Sequence, residues 1–300
     1  MPHIVAKAAS DYAELANIWA TTPAFQAQPG ADDSVAALDE QVEMLLSMPL
    51  TWLDADVCDL VEQTFPTVPE WTPAACLPGP VGGVFFEQPV TTVPFEAQTG
   101  DQVLQVPLEG FGWVVKGESV RITALSQLHG AREHLSPFRS RIPLHEVVAV
   151  TLPLATVTAA GISLEVAAGR GILNTDKMLQ AAPLLTSVAG SVWLLMSQPI
   201  VADGAPVTAQ VKRGRRRAGE SARRPVNVSV KHLEGASRPR GGGGRKRRQA
   251  TSRWWVRGHW RQQAWGPGRK LRKPIFIAPH TAGAKDADVD VRPRVQIVKK

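Results

Sequence analysis

His259, Arg261 and His280 are the residues in this chain whose types could break a bond. Paired imidazoles can pass a proton across a phosphodiester while a guanidinium steadies the developing charge. Such a site needs the two rings close in space, which neighbouring strands can provide. The block around the first two, Arg253–Trp265 (RWWVRGHWRQQAW), suits binding better than catalysis. On an alternating strand, Trp254, Val256, Gly258 and Trp260 share one face, and Arg253, Trp255, Arg257, His259 and Arg261 share the other. The second set offers guanidiniums for bidentate phosphate contacts and an indole that can stack on an unpaired base.

Further cations surround this block. Residues 212–273 hold 21 Lys+Arg against Glu220 and Glu234 alone, a local charge of +19. Arg215, Arg216 and Arg217 lie in one dense run, and Arg245, Lys246, Arg247 and Arg248 close a glycine-rich stretch. Arg269, Lys270, Arg272 and Lys273 follow a Gly-Pro-Gly turn. Like charges gathered this way are costly unless an anion relieves them. Their contacts with phosphates would weaken steeply as salt rises. Over the whole chain the asymmetry is sharper still. Residues 201–300 carry 26 of 34 Lys+Arg and 6 of 27 Asp+Glu, a charge of +20 against −13 on residues 1–200.

Other candidate chemistry is weaker. Cys58 and Cys76 lack the close pairing of a zinc site or a disulfide framework, so a reducing, cytoplasmic setting is expected. His129, His134 and His145 fit no metal-site spacing. Ala167–Gly171 (AAGRG) has neither the Walker nor the dinucleotide pattern. Asp32, Asp33, Asp39, Glu40, Glu43, Asp54, Asp56, Asp59 and Glu62 read as a solvated acidic face. No cofactor or metal is expected. The apolar stretch 181–200 contains Pro183, Gln198 and several hydroxyls, which predicts a buried core helix and no membrane association.

The elements that must position these residues divide the chain. Residues 1–65 read as helical, with Ser10 capping a helix that carries Leu15, Ile18 and Trp19. Ser34 caps a second that carries Val35, Leu38, Val42, Leu45 and Leu46, and a third runs from Asp54 to Phe65. Residues 66–205 read as β-rich, with strands at 83–86, 102–108, 111–116, 119–125 and 146–154. This region closes with an apolar helix over 175–197 that Pro183 should break or kink. Residues 206–250 form a basic, partly flexible segment around the strand Pro225–Leu233, where Val226, Val228 and Val230 alternate. Residues 251–300 form a Trp/Arg-rich β module with strands at 253–265, 274–279 and 289–298. The fold class is α+β: a helical and β-rich N-terminal domain followed by a small, basic, β-rich C-terminal module.

The stretch from Arg253 to Ala287 resembles a C-terminal module of uncharacterised proteins from actinobacteria and their phages. Trp255, Val256, Gly258, His259, Trp260, Arg261 and Gln263 fit its V-x-G-H-W-R-x-Q strand. Ile275, Ile277, Pro279 and His280 fit its I-x-I-x-P-H strand, and Gly283, Asp286 and Ala287 fit its G-x-x-D-A loop. The resemblance implies a shared architecture and a phage or mobile-element setting, and no reaction.

Taken together, the residues favour a non-enzymatic nucleic-acid-binding protein, for DNA or RNA, that grips through its basic C-terminal third. One alternative is a toxin-like ribonuclease using His259 and His280. Another is an assembly protein whose basic tail docks on an acidic partner or on its own acidic N-terminal domain.

Overall fold

A computed structural model of the chain describes residues 3–27, 32–96 (without 33, 34, 37, 40–44 and 46), 103–155 (without 136–138), 175–209, 226–233, 253–256, 258–278 and 280–283. An eight-stranded mixed sheet lies between two helical layers, so the α+β class stands.

The first helix, α1 (His3–Thr21), starts well before the expected cap, so Ser10 lies inside it. Tyr12, Leu15, Ala16 and Trp19 fall on its buried face, as a 3.6-residue period requires. The short α2 (Pro23–Gln26) brings Phe25 to stack on Trp19, with ring centroids 4.5 Å apart. The described residues of 32–47 are largely helical, and Leu38 and Leu45 join the same cluster.

Next comes β1 (Leu50–Leu53), a strand inside the region read as helical. All four of its residues are buried, with Leu50 and Trp52 facing the α1 layer and Leu53 facing the other. A strand buried on both faces shows no alternation, and this is why β1 escapes the sequence pattern. Asp54 caps α3 (Ala55–Thr64) by accepting from Val57 N at 3.0 Å, and Glu87 accepts from Ala55 N at 3.1 Å. Val57, Leu60, Val61 and Thr64 turn inward, and Thr64 Oγ1 bonds Ser191 Oγ at 2.7 Å. The one-turn helix α4 (Pro73–Cys76) follows.

The strands β2 (Val81–Phe86), β5 (Gly110–Lys116), β6 (Ser119–Ser126) and β7 (His145–Pro153) continue the sheet outward from β1, antiparallel from β2 onward. A separate hairpin, β3 (Thr92–Glu96) with β4 (Val103–Pro107), buries Val93 and Val106 in the core. The apolar helix α5 (Thr175–Met196) continues through Pro183, so of the expected break or kink the break does not occur. Leu185, Val188, Val192, Trp193 and Leu195 are almost wholly buried beyond that point. Each contributes about 1.5–3 kcal/mol, enough to outweigh one lost backbone bond. Among the described residues no helix is long and apolar enough to cross a membrane.

On the other side of β1 lies β10 (Val226–Leu233), paired parallel to it with Leu50 opposite Val228. The far edge of β10 takes two short antiparallel strands, β8 (Val201–Asp203) and β9 (Val207–Ala209). The sheet order is therefore β7-β6-β5-β2-β1-β10-β8, with β9 also paired to β10. Strands from both sides of the charge boundary near residue 205 build one sheet.

Four further strands belong to the C-terminal hairpin: β11 (Arg253–Val256), β12 (His259–Trp265), β13 (Leu271–Ile277) and β14 (His280–Gly283).

Candidate functional site

Pairing joins β11 to β14 and β12 to β13, both antiparallel. The two ladders keep one register: Val256 faces His280, and three residues on His259 faces Ile277. Residues 253–283 are thus a single long hairpin, interrupted once, with its turn at 266–270.

Side-chain alternation gives β12–β13 two faces. Trp260 and Phe276 stand opposite each other on one of them, edge to face with centroids 5.3 Å apart. Phe276 is only 8% exposed and belongs to the main core, with Trp260 packed beside it. Phe276 N donates to Gln198 Oε1 at 3.4 Å, and the same amide's Nε2 donates to Leu194 O at 3.1 Å. A buried glutamine just past the end of α5 therefore ties the hairpin to the body. Lys273 lies near α4. Burial pushes the Cys76 thiol up, while a hydrogen bond from the Thr72 backbone and then the Lys273 ammonium draw it partly back.

The other face carries His259, Arg261, Gln263 and Trp265 from β12, beside Ile277, Ile275, Lys273 and Leu271 from β13. His259 and Arg261 are exposed, as the alternation in the sequence predicts, and Arg261 donates to the Gln263 side chain. Arg269, Lys270, Arg272 and Lys273 are exposed as well, in and beside the turn. Between Arg253 and Gly283 the chain has seven Lys+Arg and no Asp or Glu, so the hairpin holds no carboxylate of its own. Among the described residues none of these five cations forms an ion pair.

The turn itself is held in an unusual conformation. Gly266, Gly268 and Arg269 all have positive φ, at 75°, 62° and 55°. Arg269 N closes the turn on Gly266 O at 3.0 Å. At Gly266 a Cβ would sit 2.9 Å from Leu271 Cδ1, so the missing side chain leaves room for leucine to lie over the turn. Trp265 and Leu271 face each other on the last rung, 51% and 49% exposed, the two exposed large apolar side chains among the described residues. Neither is among the contacts expected from the sequence. Carrying the same alternation two steps beyond Arg261 reaches Gln263 and Trp265, so the signal for Trp265 was present.

The remaining candidates separate. Three rungs, about 10 Å along a strand, lie between His259 and His280, so the register does not bring the two imidazoles together. His280 Nδ1 lies 3.0 Å from Ala278 O. Side chains of Arg253 and Trp255 are outside what the structure describes, and so are Arg215–Arg217, Arg245–Arg248, Arg257 and the expected strand at 289–298. Arg261 is exposed, not buried against carboxylates of 32–62. Asp32, Asp39, Asp56, Asp59 and Glu62 are exposed too, as a solvated acidic face would be. His129 Nε2 sits 4.0 Å from Glu109 Oε1 and His134 Nε2 3.6 Å from Glu133 Oε1, while His145 is buried at the start of β7. No group of three metal-ligating side chains forms among the described residues.

No curated protein matches the chain. Residues 42–281 match the AcrVA2-like family, described as the anti-CRISPR type V subtype A2 family, and this span runs from before β1 into the last strand of the hairpin. The chain belongs to the AcrVA2-like family of anti-CRISPR proteins.

Proposed function

We propose that this protein counters a type V CRISPR system by binding, and that its hairpin contacts nucleic acid. The family supports the counter-defence part of the reading and a phage setting for it. The single observation behind the contact is the hairpin's composition, with five exposed cations and no carboxylate over 31 residues. Guanidiniums and ammoniums placed this way are suited to a phosphate backbone and need no catalytic group. The spacing of His259 and His280 lends no support to a ribonuclease. The exposure of Arg261 lends none to docking on the chain's own acidic residues.

Salt-dependent retardation of labelled DNA and RNA by the full chain tests the reading. The variant R269Q/K270Q/R272Q/K273Q should bind more weakly, and its dependence of log affinity on log salt should flatten. Each lost phosphate contact removes about 0.7–0.9 from that slope. No retardation of any probe at low salt, or an unchanged slope in the variant, would overturn it.

A further inference from the structure

We infer that Trp265, with Leu271 opposite it, is a stacking platform for an unpaired base, so that the hairpin takes single-stranded nucleic acid in preference to duplex. The inference rests on the nucleic-acid reading above and names which form of nucleic acid the hairpin recognises.

Three observations converge on the tip. The first is exposure: Trp265 and Leu271 occupy one rung with about half their surface in water, while other large apolar side chains of the described fold are buried or half-buried. Leaving an indole in solvent forgoes burial that the same fold gives to Trp19, Trp52, Trp71, Trp113 and Trp193. The second is charge. Arg261 and Lys273 share the ring's face, and Arg269, Lys270 and Arg272 stand in or beside the turn. An apolar platform ringed by cations and free of acids matches a ligand that is flat and apolar on its faces and anionic along its edge. An unpaired nucleotide has that form. In a duplex the base faces are already stacked, so the ring would have nothing to cover.

The third is backbone conformation. Arg269 sits at φ 55°, a left-handed conformation that glycine adopts freely and an arginine does not. The neighbouring left-handed positions, Gly266 and Gly268, are glycines. Keeping an arginine here costs of order 1 kcal/mol, a strain that persists at ligand contacts. Its guanidinium can then meet the phosphate next to the stacked base. Leu271, lying over Gly266, is paired with Trp265 across the rung.

The test compares the full-length protein with W265F, W265L and W265A. The probes are an unstructured single strand of about 20 nucleotides, longer than the roughly 4–16 that one OB-fold covers, and the same strand annealed to its complement. Wild type should favour the single strand. W265A should lose about 5- to 150-fold on it, the range measured for removing one stacked aromatic. Loss on the duplex should be under about twofold, with the salt slope unaltered. W265F should retain most of the affinity, because it keeps a π-face. W265L should behave like W265A, because it keeps only the apolar volume.

If wild type retains no probe of either kind, the nucleic-acid reading and this inference fail together. If wild type binds nucleic acid but W265A matches it on the single strand, the stacking role alone is overturned. Full rescue by W265L would also overturn stacking, since apolar volume alone would then suffice for binding the strand.

Discussion

Arg269 and Cys58 show how far single residues carry physical information. Replacing Arg269 with glycine relieves a left-handed backbone and removes a cation. The expected result is a pair of opposite changes: R269G unfolds at equal or higher urea concentration than wild type, by up to about 1 kcal/mol, yet binds single strands and duplex more weakly. A turn kept for structure alone would show only the gain. Cys58 lies in the core beneath Asp54, its thiol donating to Leu53 O at 3.5 Å. Burial pushes it up to about 11, against hydrogen bonding from the backbone at Gln88 and Glu87 and with a small further push from the Asp54 and Glu87 carboxylates. In the unfolded chain the same thiol ionises near 8.5. Between about 9 and 11 the unfolded state therefore binds fewer protons than the native state, and stability falls as pH rises through that window. Urea midpoints at about pH 8 and pH 10.5 should drop further for wild type than for Cys58→Ala. Burial also raises the Tyr12 phenol, which donates to Leu144 O, and this adds the same trend above pH 10 to both proteins. At this scale the sequence told inward from outward well. Trp260 inside and His259 with Arg261 outside follow from alternation alone, whereas the strain at Arg269 has no sequence signature, since nothing in the residue's identity announces a left-handed φ.

The elements that were legible are those whose two faces meet different surroundings. The strands β5, β6 and β7 and the helix α3 alternate or recur because one side meets the core and the other meets water. Leu50–Leu53 gives no such signal, being enclosed by both layers, and was read as part of a helical region. Thr92–Glu96 includes Pro94, which obscures a strand whose partner lies only across a short hairpin. Pro183 pointed to a break, but the local backbone cost is small beside the buried surface of α5. The same helix offers a prediction with an unusual sign. Gly190 faces Trp71 so closely that an added Cβ would lie 2.5 Å from its Cε2. Helix propensity alone would favour Gly190→Ala by about 1 kcal/mol. Overlap with an indole that is itself wedged edge-on against Trp193, at 5.5 Å, should reverse this to a loss of about 1–3 kcal/mol in denaturant unfolding. An unchanged or raised midpoint would mean that Trp71 can move aside.

For the molecule as a whole, the change of charge near residue 205 is plain in composition, but it does not mark where folding contacts stop. Val226–Leu233, from the basic third, supplies the strand beside β1. The alternation of Val226, Val228 and Val230 revealed that strand, yet its place in the sheet depends on pairing across the chain, which local pattern does not encode. A chain ending at residue 205 should therefore lose its cooperative unfolding transition and its near-ultraviolet dichroism. A chain ending at residue 250 keeps β10 and should still melt cooperatively, though at a lower temperature, because Phe276 and Trp260 no longer pack on the core and Gln198 loses its bond to Phe276 N. Equal melting of the full and 1–205 chains would contradict the sheet order. The pairing of Leu50 with Val228 also sets a schedule. At about 5–20 residues per second, roughly 10–35 s of synthesis separate the two strands. Until the second emerges, Leu50–Leu53 lacks one of its two neighbours, and the acidic first two-thirds of the chain waits on the basic third. A ribosome that stalls at Arg215–Arg217 releases a chain without β10 and with an open sheet edge, which proteases and aggregation can reach. The neighbour that closes this side of β1 exists only once Leu233 has been made.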